Sequence, residues 1–340
     1  MNLDIIITHY KEPWETGKQM FDMLAMQRDI NFDDFGVIIV NDGEENALPV
    51  ECFIDYPYDI CQMSIPHKGV SAARNAGLDA SDADWVMFCD FDDSFSSIFG
   101  LHLIFCAMHD EQQYDTIWSC FTEETKDNEG KIRLVGHDRD YVFIHGKAHR
   151  RQFLVDNNLR FNEKLTIHED VFFTMLTQTV AKPEKIGGIK SPFYLWKWND
   201  ASVVRKDNFD DYILHSYDHL IRQRIALTEE FLKRGMADSA MVTIIKTVVD
   251  CYYDCQQCTW RIPKNKEALH KVENWFAAYL KRYAKYYAEA DIKMISSIAK
   301  ASRDNSLKKG AFFMEAETLS TWLNHIMDTA KPIPVRDQGI

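Results

Sequence analysis

The chain has 340 residues, 46% of them apolar and 27% charged, which excludes a disordered, fibrous or collagen-like protein and leaves room for one large domain or two ordinary ones. Its formal net charge of −13 argues at first against a polyanionic partner, but the charge is unevenly spread. Residues 1–210 hold 20 Lys+Arg and 36 Asp+Glu, a net of −16, whereas residues 211–340 hold 19 and 16, a net of +3.

Met1–Ile7 lacks a basic region, and its apolar run is too short for a signal peptide. No stretch of about 18 apolar residues occurs. The expectation is a cytoplasmic protein with no integral membrane segment. Eight cysteines are too few for a disulfide scaffold and read as free thiols. Cys251, Cys255 and Cys258 have the spacing of an iron–sulfur ligand set, C-x3-C-x2-C. They fall, however, in a late helical stretch, Met241–Thr259. There they share one helix face, and core packing is expected.

In chain order, Leu3–Thr8 reads as a short buried strand and Trp14–Gln27 as an amphipathic helix with Met20, Phe21, Met23 and Leu24 at helical spacing. Val37–Asn41 is a second strand ending at the turn Asp42-Gly43, and Ile60–Ile65 a third. Gly69–Ala80 is a small-residue helix and Trp85–Cys89 a fourth strand. Leu101–Met108 has the length of a strand or a core helix. This alternation implies an α/β fold with a parallel sheet covered on both faces. Ligands of such sheets bind beyond the C-terminal strand ends. The polar clusters Thr8-His9-Tyr10, Asn41-Asp42-Gly43 and Asp90-Phe91-Asp92-Asp93 should therefore converge on one crevice.

Residues 115–145 read as irregular β structure with a polar insert. Helices are expected at Lys147–Asp156 and His168–Val180, and a strand region at Lys185–Trp198. From Phe209 the pattern is helical: Tyr212–Arg234, Ala237–Thr259, Lys266–Ala288, Asp291–Ser302 and Ala311–Ala330, with breaks at Gly235, Pro263 and Gly310. The expected division is a catalytic domain over 1–208, a helical domain over 209–332 and an extended tail over 333–340.

Asp90-Phe91-Asp92-Asp93 places carboxylates close enough to repel one another. Oxygen-only donors of this kind suit Mg2+ or Mn2+ bridging to a phosphate. The bland alternative is a loop that caps the next helix, with Asp93 and Ser94 as cap residues. His168-Glu169-Asp170 opens an apolar run. Acidic residues there favour a helix N-terminus, and either Glu169 or Asp170 could serve as a general base.

Five ordered blocks resemble family 2 glycosyltransferases, inverting enzymes of the GT-A fold, and a bacterial or phage source is expected. They are Leu3–Tyr10; Val37–Gly43; His67–Gly77, similar to N-x-G-x-x-x-A-R-N-x-G; Trp85–Asp93; and Gly146–Leu154 with Phe161-Asn162 and His168-Glu169-Asp170. The resemblance covers about residues 3–200. It implies a Rossmann-like, mostly parallel sheet domain followed by an all-α domain.

It also implies site roles. Tyr10 would stack on the nucleotide base with Thr8 nearby. Asp42 would bond the base edge, Arg74 would pair with the base or Asp42, and Asn75 would position that loop. Asp90 and Asp92 would match D-x-D, with Asp92 the direct metal ligand, and Asp93 would contact the donor sugar. Asp170 would be the catalytic base, and Glu169 would bind sugar or acceptor hydroxyls. Asn41 stands where Asp is usual, and His9 where a small residue is usual. Lys197, Arg205 or Lys206 could meet the pyrophosphate.

The implied reaction is transfer of a sugar from a nucleoside-diphosphate sugar, UDP-sugar first, to an acceptor hydroxyl in one displacement with Mn2+ or Mg2+. The rivals are a nucleotidyltransferase of related fold and a non-catalytic carbohydrate- or nucleotide-binding protein. Arg261–Lys309 carries 12 Lys+Arg against 5 Asp+Glu, with Trp275, Phe276, Tyr279, Tyr283, Tyr286 and Tyr287. The readings are a solvated helix face, a surface for an anionic acceptor (a polysaccharide, a teichoic-acid-like chain or hydroxymethylated DNA) or a module for homo-oligomers.

Overall fold

The computed structural model describes residues 2–127, 129–138, 140, 142–200, 209–256, 266–308 and 318–329. The chain divides into two compact units, Met1–Asp200 and Ala201–Ile340.

The first unit begins with four parallel strands in the order β3-β2-β1-β4: β1 (Leu3–His9), β2 (Phe35–Asp42), β3 (Asp59–Ile65) and β4 (Trp85–Asp90). The helix α1 (Trp14–Ala25) connects β1 to β2, and α2 (Val70–Ala80) connects β3 to β4. Both faces of β1 and β2 are covered, which is why their sequences run apolar without alternation. Asp4 is buried within β1 and is satisfied by the Ser81 hydroxyl, which donates to its carboxylate at 2.6 Å. Gly77 lets α2 approach the sheet closely, since a Cβ there would collide with Ile6.

Beyond β4 come β5 (Ser94–Phe95), α3 (Gly100–Met108), β6 (Thr116–Lys126), β7 (Ile132–His137), β8 (Ala148–Arg150), α4 (Arg151–Asp156), α5 (Glu169–Val180) and β9 (Ile186–Trp196). The sheet continues from β4 through β8, β6 and β9 to β5, and β7 forms a hairpin with β6. β8 is antiparallel to β4 and β6, while β6 and β9 run parallel.

Two sequence readings change here, and one left open is decided. Lys147–Asp156 is not one helix. Residues 148–150 lie between two strands whose backbone groups they satisfy, so the helix starts only at Arg151. Gly146, at φ +66° and too close to Ser119 for a side chain, sets the preceding turn. Leu101–Met108 is a helix. Asp93 and Ser94 do not cap a helix, because Ser94 enters β5 and pairs with Leu195.

The second unit contains α6 (Phe209–Lys233), α7 (Ala237–Gln256), α8 (Lys266–Ala288), α9 (Ile292–Lys308) and α10 (Leu319–Thr329). Gly235, at φ +73°, makes the break between α6 and α7. The core gathers Ile244, Ile245, Val248 and Val249 from α7, Phe276, Tyr279 and Tyr283 from α8, and Trp322 from α10. Cys251 is buried there, whereas Cys255 and Cys258 lie outside the described side chains.

The aromatics proposed for an acceptor surface are therefore partly misplaced. Phe276 stacks on Trp322 at 5.0 Å, and Tyr283 donates to Glu229 at 2.7 Å. A hydrophobic face seeks a partner before it seeks a ligand. Lys271, Lys281, Arg282 and Lys285 occupy the exposed side of α8, and Arg282 pairs with Glu229. Ser202, Arg205, Lys206, Pro263, Gly310 and the expected tail over 333–340 lie outside the described residues. Among the described residues, no helix is long and apolar enough to cross a membrane.

Candidate active site

Strand register brings the polar clusters together. Thr8 sits opposite Val40 on one side and Asp90 on the other, so β1, β2 and β4 end at one level. His9 is buried beneath this edge. Its Nδ1 lies 2.8 Å from Asn41 Oδ1, and its Nε2 lies 2.7 Å from the Glu12 carbonyl. It thus ties β1 to β2 and packs on Phe91 instead of lining a base pocket.

Asp42 holds the loop that enters α2. It accepts from the backbone N–H of Lys68 at 2.7 Å and of Gly69 at 2.9 Å, and from His67 Nδ1 at 2.8 Å. Tyr10 is exposed at the tip of β1, and its ring stacks on His67 with centroids 4.4 Å apart. Asn75 is buried and does not face the crevice. It donates to the Phe161 carbonyl and to Glu163 and accepts from Phe161 N–H, all at 3.0 Å. It latches the segment that leads to α5.

Arg74 departs from the expected pairing with Asp42. It projects from α2 into the interior, donating to Asp90 at 2.6 Å and to Glu169 at 2.8 Å. One guanidinium thus links the end of β4 to the start of α5, and such bonds between charged groups are the strong ones. Burial alone would disfavour its charge, but Asp90 and Glu169 outweigh that and hold Arg74 ionised. Burial likewise raises Asp90, and the opposing pull of Arg74 leaves it below the usual carboxylate range.

The neighbouring carboxylates behave oppositely. Asp92 is raised by burial and by Asp90, and Asp93 is raised further by burial, Asp90 and Asp92. Asp93 is buried and accepts from the Tyr194 hydroxyl at 2.6 Å and from the Lys197 backbone N–H at 3.1 Å. Asp92 accepts from Asn199 at 2.7 Å. The end of β9 thus closes over the acidic loop.

His145 completes this group. Its Nδ1 lies 3.6 Å from Asp93, makes no hydrogen bond among the described residues, and its ring stacks on Tyr194 and on Trp196. Burial lowers its pKa to about 3, so the imidazole is neutral and able to ligate. Ligand atoms of Asp90, Asp93 and His145 lie within 4.8 Å of one another. Two crowded carboxylates, one of them raised, beside a neutral imidazole fit a divalent cation, which would relieve their repulsion.

At the start of α5, His168 adopts φ +63° and turns the chain into the helix. Asp170 is half-buried, and the Val171 N–H donates to one of its oxygens at 2.7 Å. Burial and the adjacent Glu169 push its pKa up to about 7. Glu169 is also raised by burial, against the pull of Arg74.

The structure therefore gathers Asp90, Asp92, Asp93, Arg74, Glu169 and Asp170 into one connected set, with Thr8, Tyr10 and Asp42 along the same strand ends. His145, Tyr194 and Asn199 were missed. Only the position of His145 beside the block beginning at Gly146 could have hinted at it.

A sequence profile described as Glycosyl transferase family 2 matches residues 4–160. The chain is 27% identical over 193 residues to the minor teichoic acid biosynthesis protein GgaA of Bacillus subtilis, covering 51% of this chain and 42% of that protein. It is 24% identical to the teichoic acid poly(glycerol phosphate) polymerase of Staphylococcus epidermidis, covering 90% of this chain and 44% of that protein. It thus spans less than half the length of these two relatives. A crystal structure of S. aureus TarS 1–349 in complex with UDP-GlcNAc superposes with a TM-score of 0.49 at 16% identity, covering 94% of this chain and 98% of that one. The N-terminal unit thus carries the glycosyl transferase family 2 sequence pattern over residues 4–160.

Proposed function

We propose that the protein transfers a sugar from a nucleoside-diphosphate sugar, UDP-sugar first, to an acceptor hydroxyl, with inversion at the anomeric carbon. The observation that carries this reading is the Asp90–Arg74–Glu169 link, which joins the acidic strand end to the segment bearing Asp170. Asp170 takes the acceptor proton, and the acceptor oxygen forms its bond to the anomeric carbon. The bond from that carbon to the phosphate oxygen breaks, and its electron pair leaves with the diphosphate. A base whose pKa is near 7 suits such a transfer at neutral pH.

Asp90 and Asp92, with Asp93 and His145 alongside, would hold Mn2+ or Mg2+, which supplies charge neutralisation for the leaving diphosphate. Tyr10 and Asp42 would receive the base. The names of two relatives point to a teichoic-acid-like or other anionic glycan acceptor. The exposed lysines of α8 are compatible with its charge.

Calorimetric titration of UDP with and without Mn2+, paired with a screen for donor-sugar hydrolysis, tests this reading. Metal-strengthened UDP binding is expected, and Asp92→Ala should lower metal-dependent hydrolysis by about 10²–10³-fold. Absence of binding to any nucleoside diphosphate would remove the proposal.

A further inference from the structure

We infer that His67 is a built-in occupant of the base slot, which an incoming nucleotide must displace. The inference rests on the donor reading above and concerns how that same site is kept when no nucleotide is bound.

The geometry is that of a stand-in. The imidazole lies flat on Tyr10, with centroids 4.4 Å apart and planes 13° from parallel. In the same pose its Nδ1 is 2.8 Å from Asp42 Oδ2. A carboxylate oxygen accepts hydrogen bonds, so a base read by Asp42 must present an N–H in its own plane. Uracil does this through N3–H while its face stacks on an aromatic ring. His67 already fulfils both conditions, with a stacked planar ring and an in-plane N–H directed at the carboxylate. Asp42 also accepts the N–H groups of Lys68 and Gly69, which leaves it little capacity for a further donor. Two rings cannot occupy this face of Tyr10 and this edge of Asp42 together.

Departure of His67 is structurally cheap. Its side chain is 54% exposed, and it lies in the short connection between β3 and α2, beside Gly69 at φ +93°. Swinging outward disturbs no core contact. Base binding is therefore an exchange, in which one stack and one N–H···carboxylate bond are given up and the same two are regained. The slot stays ordered when empty, and the base contributes less to affinity than an open slot would allow.

The test is calorimetric titration of UDP, and separately of inorganic pyrophosphate, with Mn2+ present. The proteins are the wild type, His67→Ala, and His67→Asn, the residue usual at this place in the family pattern. UDP should bind both variants about tenfold more tightly, the inverse of a slot left open about one tenth of the time. Pyrophosphate, which has no base, should bind all three alike. Equal UDP affinity across the three proteins overturns the inference and leaves the donor reading standing. Weaker UDP binding by both variants also overturns it, making His67 a contact to the base. If neither probe binds any of the three, the donor reading falls and the inference with it.

Discussion

Asp170→Asn is expected to lower sugar transfer by about 10²–10⁴-fold, the range that a positioned general base supplies, while leaving UDP affinity within about twofold. The substitution keeps shape and polarity but removes the proton acceptor. Val171 N–H already engages one carboxylate oxygen at 2.7 Å, which fixes the group at the start of α5 and leaves the other oxygen for the acceptor. Initial rates and UDP titrations on the two proteins decide the matter. An Asp170→Asn enzyme with wild-type turnover would move the base elsewhere, with Glu169 the next residue to test.

The same assignment fixes a pH profile. The base acts deprotonated, and burial together with Glu169 places its pKa at about 7. The rate should therefore rise as pH increases through 7 and level off above it. Stability runs the other way at this residue. Its folded pKa lies above the unfolded carboxylate value of about 3.9, so its contribution is fully present below that value and is lost as pH rises through 7.

The second large effect concerns stability. Arg74→Leu should cost about 3 kcal/mol in urea unfolding, near the low end for breaking a buried ion pair. Arg74 is 3% exposed and Glu169 11%, so removing the guanidinium leaves two carboxylates facing a low-dielectric interior without a countercharge. Asp90 is 31% exposed and can draw on water, which keeps the cost from the upper end of the range. Arg74→Lys retains charge but not the two-pronged geometry, and should fall between wild type and Leu. A loss below about 0.5 kcal/mol for Arg74→Leu would mean that Asp90 and Glu169 are satisfied without it.

Much of the first unit was legible because its signals are local. A short continuous apolar run such as Val37–Val40 fits a strand covered on both faces, and a polar cluster directly after it then lies at the C-terminal edge. The register Thr8↔Asp90 then follows from the parallel order. The assignments that went astray depend on partners far along the chain. The resemblance pairs Arg74 with the base or with Asp42, yet its contacts are 16 and 95 residues away, at Asp90 and Glu169. Nothing within the α2 segment marks which carboxylate would arrive. The resemblance has Asn75 position the loop that carries Arg74, but its amide closes a different loop, 86 residues further on. Tyr194 reads as an ordinary strand aromatic, and only the fold sets its hydroxyl against Asp93. In the second unit, the spacing of Phe276, Tyr279 and Tyr283 defines a face without saying what covers it. The answer includes Trp322, from a different helix.

The guanidinium shared between Asp90 and Glu169 also constrains how this chain can change over time. These residues belong to three separate segments, yet losing Arg74 strands two charges at once, and losing either acid leaves one prong of the guanidinium without its carboxylate. With one arginine and two acids the trio carries an excess negative charge, so a change at any one position resets the balance felt by the other two. Substitutions at these three positions are therefore expected to be correlated, so that they are inherited more as one character than as three.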